Sequence, residues 1–326
     1  MATHTPATRR VIVLGTGGTI AGRAAAADDN IGYTAAEVGV ADLLHGIDAP
    51  VGVGLLAEQV AQVDSKNMSH AIWQALALRC AQWLAQPDVA GIVVTHGTDT
   101  LEETAYFLQA VLAPSKPIVL TCAMRPSTAL APDGPQNVRD AIVVAAAPGA
   151  RGVVAVCAGR VHGALDVQKV HTYRLDAFES GDAGPIAHVE EGVLRQLRDW
   201  PAGEVGNLHA RMAGLDPVRW PRVEIVMSHA GAGGRLVDAL LRERAMGEAD
   251  ALHGLVLAAT GNGTLHESLE AAALRAQAAG VAVWRATRCA EGRILPTAQA
   301  AVQDAGALSP VKARIALMLQ LLPDAA

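Results

Sequence analysis

Four times along the chain a short, unbroken apolar run ends in a turn rich in glycine, serine and threonine, and a helical pattern follows. Residues 11–14 precede GTGGT, 91–95 precede HGTDT, 223–227 precede SHAGAGG and 254–259 precede TGNGT. Strands without polar alternation are buried on both faces. Alternating with helices, they predict an α/β fold whose sheet, parallel or mixed, is covered on both sides. Ligands in such folds sit beyond the carboxyl ends of the strands, which makes these polar turns the candidate sites. After the second run, Leu101, Ala105, Leu108 and Leu112 share one face of a helix predicted over Leu101–Leu112. Thr100 and Glu103 form a T-x-x-E capping box that starts it.

The pattern breaks over 191–221, which mixes charges with the turn signals Trp200-Pro201, Asp216-Pro217 and Trp220-Pro221. This predicts an interdomain connection. It separates a larger N-terminal catalytic domain, 1–190, from a smaller C-terminal α/β domain, 222–326. A length of 326 residues suits two domains of ordinary size or one large one.

Composition narrows the classes. With 51% hydrophobic and 18% charged residues, a filled core is available and disorder is not expected. A net charge of -6 gives no basic footprint for nucleic acid, and 3% aromatics gives no stacking platform. No apolar run is long enough to predict a membrane span. The start, MATHTPATRRVIVL, leads into a glycine loop and not a cleavage site, so no secretory leader is read there. Cys80, Cys122, Cys157 and Cys289 form no CxxC pair, and the eleven histidines show no HExxH spacing, so no metal is expected. Cys122 and Cys157 lie in apolar strand-like runs and read as buried thiols. A reducing, cytoplasmic setting is expected, or a periplasmic one if a leader has been removed.

The loop Gly15-Thr16-Gly17-Gly18-Thr19-Ile20-Ala21-Gly22 follows a strand, and its glycines allow backbone N–H groups to approach a ligand. A dinucleotide-binding turn fits only partly, because Ile20 stands where the third glycine should be. No acidic residue closes a second strand about 20 residues later. The other reading is a threonine nucleophile, Thr19, which needs a neighbouring base because a free hydroxyl attacks weakly. Alone, the loop leaves both open.

The turn His96-Gly97-Thr98-Asp99 lies between a strand end and a helix N-terminus, where backbone N–H groups can meet an anion or an oxyanion. Asp99 can pair with a substrate ammonium or merely favour the helix dipole. Thr98 can act chemically or cap the turn. Tyr33 sits in a polar stretch that reads as a mobile, exposed loop. Lys169 is one of four lysines; a lysine gives up its proton when desolvated, whereas arginine does not. In isolation both residues read as ordinary surface positions.

Together these pieces resemble the bacterial L-asparaginase/glutaminase family. The resemblance rests on GTGGTIAG (15–22), VVTHGTDTLEETAYFL (93–108), AMRPSTALAPDGPQNVRDA (123–141) and LDVQKVHT (165–172), with VDSKNM (63–68) and GNGT (261–264) between and after them. It implies a larger domain with a mixed, mostly parallel sheet flanked by helices, and a smaller one with a parallel sheet. It implies an amidohydrolase without cofactor that converts L-asparagine to L-aspartate and ammonia, with L-glutamine as a secondary substrate. Thr19 would be the nucleophile, with Tyr33 assisting from a lid. Thr98, Asp99 and Lys169 would form a second constellation. Asp99 would hold the α-ammonium and Ser65 the α-carboxylate, with Gly18, Thr98 and Met124 also at the substrate. The family further implies a homotetramer of close dimers, in which Asn262 matches a position that reaches across to a neighbour.

Two departures stand out. The neighbour-donated glutamate of the family has no clear counterpart in RATRCAEGRILPTA (285–298), where Glu291 is a loose candidate. The disulfide of periplasmic relatives would pair Cys80 with the position of Ser115, so that bridge cannot form.

Overall fold

In the computed structural model, residues 9–203, 208–247, 250–297 and 300–324 are described. The opening residues 1–8, where a leader was sought, lie outside that set. The strands are β1 (Arg9–Gly17), β2 (Arg23–Ala24), β3 (Tyr33–Thr34), β4 (Val53–Val63), β5 (Val89–Thr95), β6 (Ile118–Thr121), β7 (Val153–Cys157) and β8 (Arg160–Gly163). They continue with β9 (Gln168–Lys169), β10 (Phe178–Glu179), β11 (Ala187–Glu190), β12 (Val193–Gln196), β13 (Arg222–Met227), β14 (Leu252–Ala259), β15 (Ala282–Thr287) and β16 (Gln303–Asp304). The helices are α1 (Val40–Leu43), α2 (His70–Leu84), α3 (Leu101–Leu112), α4 (Gly134–Ala146), α5 (Leu208–Ala213), α6 (Arg235–Ala245), α7 (Glu267–Ala278) and α8 (Pro310–Gln320).

The chain divides into two compact units, 1–209 and 210–326. The first holds an eight-stranded sheet in the order β12-β11-β8-β7-β6-β5-β1-β4. Strands β4, β1, β5, β6 and β7 run parallel, and β8, β11 and β12 add antiparallel pairs at one edge. The apolar runs explain the middle of the sheet. Every residue of β5, β6 and β7 is buried, because helices cover both faces. On one face, Val11, Val13, Val93, Val119 and Val154 pack against Val138, Ala141, Ile142 and Ala145 of α4. On the other, α2 and α3 lie together. Trp73 stacks on Phe107 with ring centroids 4.9 Å apart, and its indole N–H donates to Thr104 Oγ1 at 2.8 Å.

The second unit carries the parallel sheet β13-β14-β15-β16. Leu255, Leu257, Leu269, Ala272 and Ala276 belong to a core shared by this sheet with α6 and α7, and α8 packs against β13, β14 and β15. The stretch 191–221, expected as a connection, has elements of its own. β12 pairs with β11 at the edge of the large sheet, Trp200 is buried in that unit's core, and α5 follows.

One feature of the topology positions the chemistry. After β1 the chain adds β4 on one side of it, then returns to place β5 on the other. The crevice between the carboxyl ends of β1 and β5 is therefore the point where the sheet reverses its winding, the favoured ligand position in open α/β sheets.

Candidate active site

Two glycines lock the motif loops together. β1 and β5 pair with Gly15 opposite Thr95, and Thr16 Oγ1 donates to the Thr95 carbonyl at 2.9 Å. Beyond them Gly18 adopts φ 83°, ψ -173°, and a Cβ there would lie 2.3 Å from both Cα and N of Gly97. A Cβ on Gly97 would in turn lie 2.5 Å from Ser65 Oγ. The turns after β1 and β5 thus touch backbone to backbone, and the Ser65 side chain after β4 closes on Gly97, with no room for a further side chain. Thr19 and Thr98 are each the residue directly after one of the two touching glycines.

Around Thr19 the chain forms a short 3-10 turn, Thr19–Ala21, and the threonine is buried. Its hydroxyl lies 2.6 Å from the phenol of Tyr33. Tyr33 was expected on a mobile loop; it stands in β3, paired antiparallel with β2. That hairpin is tied down by Ala24 N–H donating to Thr128 Oγ1 at 2.9 Å and by Ser127, whose N–H and hydroxyl both donate to the Gly22 carbonyl. A local contact across ten residues, not periodicity, makes this strand, so the sequence pattern does not reveal it.

The second cluster forms around Lys169. Its ammonium donates to Thr98 Oγ1 at 2.7 Å and to Asp99 Oδ1 at 2.6 Å. The lysine side chain is 19% exposed and the aspartate 53%, so the pair opens to solvent on the carboxylate's side. Asp99 Oδ2 has no partner among the described residues. Lys169 is held by its backbone: β9 pairs with β10, and Lys169 N–H donates to Glu102 Oε2 in the first turn of α3 at 2.7 Å. A solvated loop lysine, the plain reading of the sequence, is not what the chain builds.

Ser65 is buried under this turn, and its Oγ accepts the Asp99 N–H at 3.2 Å. The capping box requires correction. α3 does begin after Thr100, but the Thr100 side chain makes no cap hydrogen bond; its hydroxyl donates to the Ser65 carbonyl at 2.8 Å. The tertiary acceptor competes successfully with the helix for that hydroxyl.

Met124 lies in a loop pinned from below. Asp133 accepts the N–H groups of Met124 and Arg125, each at 2.9 Å. Asn137 donates to the Cys122 carbonyl at 2.9 Å and accepts the Ala158 N–H at 3.0 Å. In the smaller unit, the Asn262 amide is engaged in both directions by Leu295, donating to its carbonyl at 3.1 Å and accepting its N–H at 2.7 Å. Glu291 is exposed.

His96 is a residue the sequence reading passed over. It is fully buried, and burial pushes its pKa down to about 4, so the ring is neutral. Nδ1 faces the Gly97 carbonyl at 2.7 Å and must carry the proton. Nε2 then accepts from Thr104 Oγ1 at 2.9 Å, and that hydroxyl accepts the Trp73 indole N–H. This directional chain fixes the Gly97 peptide from the core side. No spacing signal links Trp73, His96 and Thr104, because they meet only when α2, β5 and α3 pack. Among the described residues no group of three or more His, Cys, Asp or Glu is arranged to hold a metal.

Residues 10–201 match the family described as Asparaginase, N-terminal, and residues 222–323 match the Glutaminase/Asparaginase C-terminal domain. The chain belongs to the asparaginase/glutaminase family. L-asparaginase 2 of Bacillus subtilis (strain 168) is 36% identical over 320 residues, covering 95% of this chain and 81% of the relative. L-asparaginase 2 of Escherichia coli (strain K12) is 35% identical over 322 residues, covering 95% and 88%. The glutaminase-asparaginase of Pseudomonas fluorescens biotype A is 34% identical over 323 residues, covering 95% and 86%. The crystal structure of a probable cytoplasmic L-asparaginase from Campylobacter jejuni superposes with a TM-score of 0.86 at 31% identity, over 98% of this chain and 96% of that one. In this asparaginase-family chain Cys80 is buried and free.

Proposed function

We propose that the chain hydrolyses L-asparagine to L-aspartate and ammonia through a Thr19 acyl-enzyme, with L-glutamine as a secondary substrate. The observation that carries this reading is the pairing of two threonine hydroxyls, each with its own proton partner, across one glycine-to-glycine contact. Asp99 Oδ2 receives the substrate α-ammonium and the Ser65 hydroxyl donates to the α-carboxylate. Gly18 and Met124 complete the wall around the amide.

In the first half-reaction Thr19 Oγ1 attacks the amide carbon. The hydroxyl proton passes towards Tyr33 and on to the departing nitrogen, and the C–N bond breaks to release ammonia. Backbone N–H groups near Thr98 receive the developing oxyanion. In the second half-reaction water attacks the ester, the C–O bond breaks, and the Thr19 hydroxyl is regenerated. The Thr98–Lys169–Asp99 cluster serves there as the proton store. The names of the Bacillus and Escherichia relatives support the asparagine assignment, and that of the Pseudomonas relative supports the secondary substrate.

A homotetramer of close dimers, with Asn262 acting at a neighbour's site through the Leu295 loop it braces, is part of the same proposal. So is a cytoplasmic location, which the name of the Campylobacter neighbour and the free cysteines support. Ammonia release by Thr19→Ala is expected to fall by roughly four orders of magnitude or more in kcat. Lys169→Met is expected to lower kcat heavily with a smaller effect on KM, since the lysine meets Thr98 and not the substrate. Turnover of either variant within a few-fold of the parent removes the corresponding role.

A further inference from the structure

Behind the nucleophile's turn lies a second cavity, of about 370 Å³, and none of Thr19, Tyr33, Ser65, Thr98, Asp99 or Lys169 lines it. That volume falls within the range of small-molecule pockets. Its inner wall is apolar, formed by Ile20, Val38, Leu43 and Val138. Its charged groups are the guanidiniums of Arg23 and Arg125 against the single carboxylate of Asp42, and His45, Ser127 and Thr128 complete the polar lining. Arg125 spends one N–H on the Ala131 carbonyl at 2.9 Å and keeps the rest of its guanidinium available. The Arg23 guanidinium engages no partner among the described residues, and Asp42 faces only His45 at 3.8 Å.

The cavity is built onto the segment that carries Tyr33. Ile20 is the residue after Thr19, and α4 meets it so closely that a Cβ on Gly134 would lie 2.9 Å from Ile20 Cγ1. The Ala21 carbonyl accepts the N–H groups of Glu37 and Val38 at 2.7 and 2.9 Å, which ties the two stems of that segment together at the cavity wall. Ser127, also at the cavity, binds the Gly22 carbonyl at the start of the hairpin.

We propose that this cavity is a second ligand site, for a small carboxylic acid with a branched aliphatic body, and that filling it adds to the ties that hold residues 22–36. The carboxylate pairs with Arg125 and Arg23, and the aliphatic part covers Ile20, Val38, Leu43 and Val138. Inorganic anions leave that apolar wall unused, and short dicarboxylates place a second charge against it. The acid can be a plain one or an amino acid whose ammonium meets Asp42.

The test uses the full chain, with the first site saturated by L-aspartate, and 4-methylpentanoate and L-leucine as probes in calorimetry. Binding of 4-methylpentanoate is expected, weakened about tenfold or more in Arg125→Met and in Arg23→Met, as loss of a charge-assisted bond implies. Tighter binding of L-leucine assigns the site to amino acids, and weaker binding assigns it to plain acids. The probe is also expected to slow amide hydrogen exchange over 22–36. Arg23 is exposed, so its substitution keeps the test valid even if Arg125→Met fails to fold. Absence of binding, equal binding of 4-methylpentan-1-ol, displacement by L-aspartate, affinity untouched by both substitutions, or unchanged exchange over 22–36 each overturns the proposal. No readout requires turnover, so failure of the asparaginase assignment leaves this result separately interpretable.

Discussion

Two buried histidines set the residue-scale behaviour with pH. His96 and His162 are both held neutral, with pKa values pushed down to about 4 by burial; for His162 the charges of Arg160, His188 and Arg198 add to it. A histidine lowered on folding contributes stability that is complete above its unfolded value, about 6.5, and is lost as the pH falls towards the folded value. Between those limits the unfolded chain binds protons that the native chain refuses. Each histidine then costs up to about 1.4 kcal/mol per pH unit. The carboxyls of Glu58 and Asp88, held low by hydrogen bonds from Arg79 and Arg10, lose their contribution only below the ordinary carboxylate range. Urea midpoints measured from pH 7 to pH 5 are therefore expected to fall through the histidines, and His162→Gln is expected to flatten the slope. A flat profile over that interval would show that neither ring stays neutral in the fold. Nothing in the spacing of the sequence announced either ring. Thr19, Thr98, Asp99 and Lys169 were legible because they stand in long motifs; His96 stands in one too, but its partners Trp73 and Thr104 come from other elements.

At the scale of elements, what the sequence disclosed depended on periodicity. Apolar runs disclosed β1, β5, β13 and β14, and the face pattern disclosed α3. The two-residue strands β2, β3, β9 and β10 are too short for any period. They form by local pairing across about ten residues, β2 with β3 and β9 with β10, and Thr128, Ser127 and Glu102 anchor them from elsewhere in the chain. The glycines were legible as permissive, but the reason that only glycine fits was not, because it lies in the partner loop. This yields a paired test. Gly149 has φ 78° with nothing within 4 Å of an added Cβ, so Gly149→Ala meets only the left-handed backbone penalty, about 1 kcal/mol. Gly18→Ala adds a clash with the Gly97 backbone to a similar φ, and is expected to cost about 3 kcal/mol or more. Urea denaturation ranks the two. Ammonia release is expected to vanish in Gly18→Ala alone, since the clash separates the loops that carry Thr19 and Thr98. Equal stability of the two variants would mean that the loops part without cost.

For the whole molecule, the thiols distinguish local breathing from unfolding of a unit. All four cysteines are free; Cys289 is exposed, while Cys80, Cys122 and Cys157 are buried. Cys122 and Cys157 face each other with sulfurs 3.2 Å apart, at the carboxyl ends of neighbouring strands β6 and β7, well beyond the roughly 2.05 Å of a disulfide bond. Burial pushes the Cys80 thiol far up, and the contact with Cys157 together with burial does the same for Cys122, so neither presents a thiolate at neutral pH. The three buried thiols all lie in unit 1–209, and the exposed one lies in unit 210–326. Titration of the native chain with a disulfide reagent is therefore expected to show one fast thiol. The other three are expected to appear together, at a rate set by opening of the larger unit, because all three lie in its packed interior. In urea under non-reducing conditions all four are expected to react. If Cys122 and Cys157 became accessible ahead of Cys80, the edge of the sheet bearing β8, β11 and β12 would be opening by itself. The antiparallel extension would then be a separable layer on the parallel core that holds both threonines.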